Sequence, residues 1–209
     1  MKQLNETQKT QIKEAIEIAE RQSSCEFVAV ITQKSGNYKI YAFFVAALSA
    51  LLIPHFIFWL TNWFDIEKIF QLQITSFILL MILTQLSVVT NGLVPSAIKL
   101  RQSALVAQQS FRKFGLYRTS KRRAILFFVS IDEKYAEIIT DIGIDEKVPQ
   151  EIWQAVIDEF RKNLETKNVA QSYLEAIQVC GEILTREFPA EDGDVDELPN
   201  ELIVGYVVE

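Results

Sequence analysis

The sequence predicts an α/β domain that is interrupted by a transmembrane helical hairpin. Three observations support this: an almost uncharged stretch in the first half, short β-branched runs on both sides of it, and apolar stripes at helical spacing elsewhere. The 209 residues, 49% of them hydrophobic, suit one domain with one additional element. We therefore divide the chain into a domain in two parts, 1–38 and 99–189, a hairpin at 39–98 and an acidic tail at 190–209.

Charge is distributed unevenly along the chain. The net charge is −6, yet residues 99–123 carry 8 positive and no negative charges, whereas residues 124–209 carry 6 positive and 20 negative charges. Such localised basicity argues against a nucleic-acid-binding protein, so no nucleic-acid partner is expected. The high hydrophobic fraction argues against a disordered acidic chain.

The segment 39–98 predicts the membrane hairpin. It contains only four Asp, Glu, Lys or Arg residues, three of them between residues 65 and 68. The uncharged runs at about 40–61 and 74–98 are long enough to cross a hydrocarbon core of about 30 Å. The alternative is a hairpin buried in a soluble protein, which is disfavoured because the other 149 residues are too few to surround two such helices.

Flanking charges predict the orientation of this hairpin. Lys34 and Lys39 precede the first span, Lys99 and Arg101 follow the second, and the connecting loop offers Lys68 alone. Because Lys and Arg concentrate on the cytoplasmic side, both termini are expected there. The first 38 residues are polar, which excludes a signal peptide ahead of the first span. The lipid bilayer is therefore a predicted partner.

Small and polar residues predict close packing between the two spans rather than a pore. The first span carries small residues at every fourth position: Ala42, Ala46, Ala50 and Pro54. The second carries a polar row: Thr84, Ser87 and Asn91. The only histidine, His55, lies near the end of the first span, and we assign it no chemistry.

The domain elements follow in order along the chain. A helix is predicted at 6–22 and a doubly buried strand at 26–32, before the hairpin. After it, residues 99–114 predict a basic amphipathic helix, with Leu100, Leu105, Ala107, Phe111 and Phe114 as its apolar residues. That helix either touches anionic lipid headgroups or packs on the sheet. We prefer sheet packing, because Phe111 and Phe114 are needed to cover the strands.

The remaining elements complete the sheet and its helices. The runs at 124–131 and 134–140 predict an antiparallel strand hairpin, and Pro149 marks the start of the first of two final helices. Residues 190–201 predict a solvated acidic tail, and the following LIVGYVV either adds an edge strand or packs on a helix. Cys25 and Cys180 are expected as free core residues, with no metal site built on sulfur.

With these elements in place, the chain resembles the TPM-domain family, and in particular a bacterial membrane branch whose domain is interrupted by two spans after the first strand. The resemblance lies in residues 19–38, AERQSSCEFVAVITQKSGNY, in residues 114–153, and in the tail at 188–202. It implies a three-layer α-β-α sandwich with a small mixed sheet, placed in the bacterial inner membrane. Family members include a thylakoid protein with a reported acid phosphatase activity and an accessory subunit of an acetylcholine receptor.

Sheet geometry predicts two polar clusters. If the strands at 26–32 and 124–131 are parallel, their carboxyl ends bring together Thr32, Gln33, Ser35, Ser130, Asp132 and Glu133. This is the edge at which open α/β sheets usually bind ligands. The opposite edge collects Glu26, Lys121, Arg122, Arg123, Asp141, Asp145 and Glu146.

The resemblance also implies a divalent-metal site with oxygen ligands. The candidate ligands for calcium or magnesium are Asp132, Glu133, Asp141 and Asp145. The three cations at 121–123 disfavour a metal nearby, since like charges about 4 Å apart repel by roughly 4 kcal/mol at an effective dielectric of 20. Arg122 or Arg123 either pairs with Asp141 or Asp145, or joins Lys121 and Arg101 in binding an anion or lipid headgroup.

Three functions follow from these features. The leading hypothesis is a membrane-anchored interaction or assembly module with a membrane-protein partner. The first alternative is a metal-dependent acid phosphatase, and the second is binding of anionic lipid headgroups. Catalysis has weak support because no nucleophile with a nearby base and no Gly-rich phosphate loop is visible.

Overall fold

A computed structural model describes residues 4–61, 65–84, 86, 92–191, 197 and 202–205. The chain forms two compact units. One consists of Met1–Ser35 with Gln102–Glu209, and the other is Gly36–Arg101. Each unit is described by itself below.

The larger unit is built on a mixed four-stranded sheet. Its strands are β1 (Glu26–Thr32), β2 (Ala124–Ser130), β3 (Tyr135–Thr140) and β4 (Leu202–Val204), in the order β3-β2-β1-β4. β1 runs parallel to β2 and β4, and β2 runs antiparallel to β3. The predicted parallel pair and the predicted strand hairpin are both confirmed. The residues near the end of the chain were expected either to add an edge strand or to pack on a helix. Leu202–Val204 form the edge strand, β4.

Three helices cover one face of this sheet: α1 (Glu6–Gln22), α6 (Gln150–Thr166) and α7 (Val169–Glu187). Asn5 caps α1, accepting a hydrogen bond from the Gln8 backbone N–H at 2.7 Å. The core beneath these helices is aromatic, with the ring centroid of Phe127 4.6 Å from that of Tyr173. The Tyr173 hydroxyl donates to the Phe127 carbonyl at 2.7 Å, which satisfies a fully buried hydroxyl.

The opposite face is covered by α4 (Ser96–Lys113). Val106 and Ala107 of α4 pack into a core with Val28 and Phe128 of the strands. The preferred sheet-packing interpretation of this helix is therefore correct, and helices lie on both faces of the sheet.

The predicted apolar stripe of α4 was partly wrong. Leu100 and Leu105 are exposed, whereas the buried positions are Ser103, Val106, Ala107 and Ser110. These buried positions recur at three-to-four spacing, and the Ser110 hydroxyl donates to the Val106 carbonyl at 2.7 Å. The buried face of α4 is therefore set by the spacing of its residues along the helix. It is not the face that carries the larger side chains Leu100 and Leu105.

The smaller unit contains two long apolar helices, α2 (Lys39–Thr61) and α3 (Ile66–Leu83). Residues Lys39–Leu60 and Ile66–Leu83, with mean hydropathies of 2.1 and 1.6, are long and apolar enough to cross a membrane by length and composition. Phe43 near the start of α2 contacts Phe77 near the end of α3, with ring centroids 6.2 Å apart, so the helices are antiparallel.

The small-residue row of α2 is buried, as predicted: Ala42, Ala46, Ala50 and Pro54. The second helix differs from the run predicted at 74–98, because it begins at Ile66 and ends at Leu83. Asp65 caps its amino end, which brings Glu67 and Lys68 into the first turn. Of the predicted polar row, Thr84 ends α3, while Ser87 and Asn91 lie outside the described residues.

The short elements connect the larger ones. A 3-10 turn at Leu116–Arg118 follows Gly115, whose φ of 74° ends α4 in the left-handed region that glycine favours. The helical turn α5 (Ile142–Asp145) follows β3. Pro149 lies immediately before α6, as the N-cap residue.

Candidate functional site

Three buried polar residues meet where β1 and β2 end. The Ser35 hydroxyl donates to the Ser130 hydroxyl oxygen at 2.7 Å, and the Ser130 hydroxyl donates to Oε2 of Glu133. The Ser35 backbone N–H lies 3.2 Å from both carboxylate oxygens of Glu133. These bonds satisfy a buried carboxylate and hold residue 35 at the edge of the sheet.

The rest of this predicted cluster is close by. The Gln33 side-chain amide donates to Oδ1 of Asp132, and the Asp132 backbone N–H donates to the Gln33 carbonyl at 3.0 Å. The Thr32 hydroxyl donates to the Lys34 carbonyl at 3.0 Å. The structure thus brings together the six residues that the parallel strands predicted.

A serine hydroxyl linked to a carboxylate is the arrangement that activates a nucleophile. Ser35, however, is only 5% exposed, and its hydroxyl donates to Ser130 rather than to the carboxylate. The hydrogen-bonded chain from Ser35 through Ser130 to Glu133 joins the segments that follow β1 and β2.

Arg122 and Asp141 form a bidentate ion pair at the opposite edge of the sheet. Arg122 Nε lies 2.6 Å from Oδ2 of Asp141, and Arg122 Nη2 lies 2.8 Å from Oδ1. Asp141 also accepts from the Ile142 backbone N–H at 2.9 Å, which caps α5. The hydrogen bond to Asp141 raises the pKa of Arg122. This is the structural pairing that the sequence offered as the alternative to anion binding by Arg122.

Close backbone contact at Gly143 holds this pair in register. Arg122 has a left-handed φ of 54°, and its carbonyl accepts from the Gly143 N–H at 2.9 Å. A Cβ at position 143 would lie 2.7 Å from the carbonyl oxygens of Lys121 and Arg122. Only glycine fits there without moving the turn.

The other two cations of the turn pair with the C-terminal segment. Arg123 Nη1 lies 3.0 Å from Oε1 of Glu191, and Lys121 Nζ lies 3.3 Å from Oε2. Arg123 also donates to the Ser24 hydroxyl at 2.8 Å and stacks over the Phe188 ring. The adjacent cations, Arg123 first and then Lys121, lower the pKa of Glu191.

A second carboxylate of that segment binds next to these cations. Both Glu197 oxygens accept from the Ser120 backbone N–H at 3.1 Å, and Oε1 accepts from the Ser120 hydroxyl at 2.6 Å. The Glu197 backbone N–H donates to Glu26 Oε1 at 3.0 Å. Sequence reasoning missed Ser120, Glu191 and Glu197, although the opposite charges of segments 99–123 and 124–209 were a signal for such contacts.

The sheet divides the four predicted metal ligands into two pairs. Asp132 and Glu133 follow the carboxyl end of β2, whereas the Asp141 N–H bonds to the Ala124 carbonyl at the amino end of that strand. β2 is seven residues long, so its two ends lie about 20 Å apart. Within the described part of the chain, no three His, Cys, Asp or Glu residues are grouped as metal ligands.

The remaining predicted anion-binding residue, Arg101, lies on α4 and belongs to the unit Gly36–Arg101. His55 lies in the same unit, and its Nδ1 is 2.8 Å from the Leu51 carbonyl oxygen of the preceding turn. Cys25 and Cys180 are buried thiols that form no disulfide with each other, as predicted. Burial raises the pKa of the Cys180 thiol, which makes the thiol unreactive.

An additional titratable pair lies on β3. The Tyr135 hydroxyl donates to Oε2 of Glu137 at 2.8 Å, and both side chains are half-buried. Burial raises the pKa of Glu137, although the hydrogen bond from Tyr135 opposes this change. Burial likewise raises the pKa of Tyr135. The sequence suggested no role for either residue.

Comparison with known proteins links this geometry to a family. A family model described as TPM domain matches residues 84–183. Among solved structures, the chain is similar to the NMR structure of the BA42 protein from the psychrophilic bacterium Bizionia argentinensis. That similarity has a TM-score of 0.61 and 18% identity and covers 98% of this chain and 97% of that chain. At residues 84–183 the chain is therefore similar to TPM domains. Comparison with curated proteins found no match.

The compact unit that carries most of the family match also includes residues that precede that match. The match begins at residue 84, yet residues 1–35 belong to the same compact unit as residues 102–209. β1 supplies the strand that joins β2 to β4, so the sheet depends on the segment before the hairpin. At 18% identity, the likeness to BA42 shows the fold alone.

Proposed function

We propose that this protein is a TPM domain anchored in a bacterial inner membrane, where it acts as an interaction or assembly module for a membrane complex. In this proposal the hairpin of α2 and α3 spans the bilayer. The TPM domain and both termini are cytoplasmic.

Large apolar side chains on the outside of the hairpin carry the membrane part of this proposal. Of those that the structure describes, eight are at least 60% exposed: Ile40, Phe44, Phe56, Trp59, Leu60, Ile66, Phe70 and Ile82. A surface of this kind is unfavourable in water, at about 25 cal/mol per Å² of apolar area, and it is compatible with a hydrocarbon environment. Lys34, Lys99 and Arg101 outside the spans, and Lys39 at the first residue of α2, support the orientation.

Cysteine accessibility tests the anchoring and the orientation. Both natural cysteines are buried, so a Cys introduced at Lys68 or at the exposed Asp158 is the main target of an impermeant maleimide. We expect Lys68→Cys to react in intact cells and Asp158→Cys to react only after permeabilisation. The reverse pattern would disprove the orientation. Recovery of the chain in the aqueous fraction without detergent would disprove the anchoring.

The carboxylates of the two polar clusters already have partners within the protein, which favours an interaction role over catalysis. In the described residues, Glu133 is engaged by Ser35 and Ser130, and Asp141 by Arg122 and its own helix cap. Neither carboxylate is presented to a substrate, because both are buried.

Site-specific photo-crosslinking in native membranes tests the interaction role. A photoreactive residue replaces Gln154 of α6 or Gln178 of α7, both exposed, with Phe70 of α3 as the control for neighbours in the hairpin. We expect a membrane protein to be captured from the domain positions. Adducts formed from Phe70 alone would count against a domain that binds partners.

Metal-dependent phosphatase activity is a second proposal. It is supported by the exposed position of Asp132, which follows β2 at the sheet edge that commonly binds ligands. Hydrolysis of a phosphate monoester that requires calcium or magnesium and is lost in Asp132→Ala would support it. Hydrolysis that persists without calcium or magnesium and also persists in Asp132→Ala would disprove it.

A further inference from the structure

The turn at residues 120–123 presents an unusual concentration of hydrogen-bond donors. They are the backbone N–H and hydroxyl of Ser120, the ammonium of Lys121 and the guanidinium of Arg123. Each of them contacts a carboxylate oxygen of Glu191 or Glu197, at distances from 2.6 to 3.3 Å. The turn therefore already holds anionic oxygens, and they belong to the chain itself.

The same donors are suited to phosphate. Backbone N–H groups, hydroxyls, guanidinium and ammonium groups are the usual partners of phosphate oxygens. A carboxylate offers two oxygens on one plane, whereas a phosphate offers three or four in a tetrahedral arrangement that can reach several of these donors at once. The positive charge of segment 99–123 attracts anions to this part of the chain.

Solvent can reach these contacts, so an external anion can compete for them. The side chains are 54% exposed for Glu191, 34% for Lys121 and 24% for Arg123. Ion pairs at such exposure are weak. Arg122 plays no part in this competition, because Asp141 holds it in a separate bidentate pair.

We propose that the turn at 120–123 is a binding site for a phosphate-bearing anion, and that Glu191 and Glu197 are intramolecular competitors for it. Pairing of β4 with β1 tethers the competing segment close to the turn, since Leu202 is only a few residues beyond Glu197. Tethered groups compete at effective concentrations on the order of mM. This proposal is independent of the membrane role of the hairpin.

The test compares the full-length protein in uncharged detergent micelles with the variant Glu191→Gln/Glu197→Gln. The probes are inorganic phosphate, titrated by calorimetry, and micelles that contain phosphatidylglycerol. If the competitors occupy the site about nine-tenths of the time, their removal strengthens binding by about tenfold. A response to inorganic phosphate identifies a soluble ligand as sufficient. A response confined to phosphatidylglycerol identifies a lipid headgroup as the source.

The matched control is Glu151→Gln/Glu165→Gln, which removes the same charge from exposed positions of α6. An equal gain in this control would overturn the proposal, because it would show a general effect of net charge. Absence of binding by the Glu191→Gln/Glu197→Gln variant, once its cooperative unfolding has been verified, would also overturn it. Adding Arg123→Gln to the Glu191→Gln/Glu197→Gln variant is expected to abolish the gain in binding affinity. If the gain in affinity is retained, the turn is not the site.

Discussion

Asp141 illustrates how a single residue at the amino edge of the sheet serves two partners. Its carboxylate holds Arg122 in a bidentate pair and caps the turn of α5. Residue type and sequence proximity indicated an Arg–Asp pair across the strand hairpin. They left open which arginine and which aspartate take part, since this depends on the left-handed backbone at Arg122 and the close contact at Gly143.

Asp141→Ala is expected to lower the free energy of unfolding by about 2 kcal/mol, because it leaves both Arg122 and the Ile142 N–H without this acceptor. Asp141→Asn retains an oxygen for the cap, so a loss of about 1 kcal/mol is expected. Chemical denaturation of the full chain in detergent measures both. The control, Asp158→Ala, breaks an exposed pair with Arg161 and should change stability by less than about 0.5 kcal/mol. Equal losses in all three variants would contradict the dual role of Asp141.

The raised pKa of Glu137 predicts that the stability of the domain depends on pH. Because burial raises its pKa in the folded state, its contribution to stability is present below the unfolded pKa of about 4.3 and is lost as pH rises through the folded value. Glu137→Gln should therefore gain stability relative to the wild type as the pH rises above the unfolded pKa of about 4.3. Denaturation at a series of pH values measures the difference. A difference that does not change with pH would contradict this assignment, and Glu151→Gln controls for the loss of one surface charge.

At the scale of elements, the crossing of α1 and α7 depends on small residues. A Cβ at Gly181 of α7 would lie 2.9 Å from the Cβ of Ala19 in α1, closer than two carbon atoms normally pack. The apolar stripes predicted both helices, but only the packed structure reveals how closely their backbones approach.

Gly181→Ala is therefore expected to destabilise the domain by about 1 kcal/mol, despite the higher helix propensity of Ala. Adding Ala19→Gly should recover part of this packing loss, so the two changes are non-additive. The control is Gly92→Ala, where an added Cβ meets no atom within 4 Å. Thermal unfolding measures all of these variants, and strict additivity would argue against direct contact between the two positions.

At the scale of the whole molecule, the chain forms two compact units, and the second is inserted between β1 and the remainder of the first. The sheet and its two cores are formed by residues outside the hairpin. Among the described residues, every large apolar side chain that is at least 60% exposed lies within the hairpin.

Replacing residues 36–101 with a flexible Gly/Ser linker is therefore expected to yield a TPM domain that is soluble without detergent and unfolds cooperatively. Size-exclusion chromatography and chemical denaturation are the measurements. The matched construction places the same linker after residue 35 but retains the hairpin, and it should still require detergent. An aggregated or non-cooperative product after removal of the hairpin would show that the domain needs the inserted unit to fold.

The sequence by itself determined the α/β class, the division of the domain by two apolar helices, the strands at β1, β2 and β3, and the polar cluster at Ser35, Ser130 and Glu133. These features follow from periodicity, charge density and the parallel direction of two strands, all of which are local or topological. Only the tertiary structure decided that β4 joins the sheet, that Ser103 and Val106 rather than Leu100 and Leu105 face the core, and that Glu191 and Glu197 bind the basic turn. Those outcomes depend on contacts between residues distant in the chain, whose energies come from packing and from pairing of charges that no local pattern encodes.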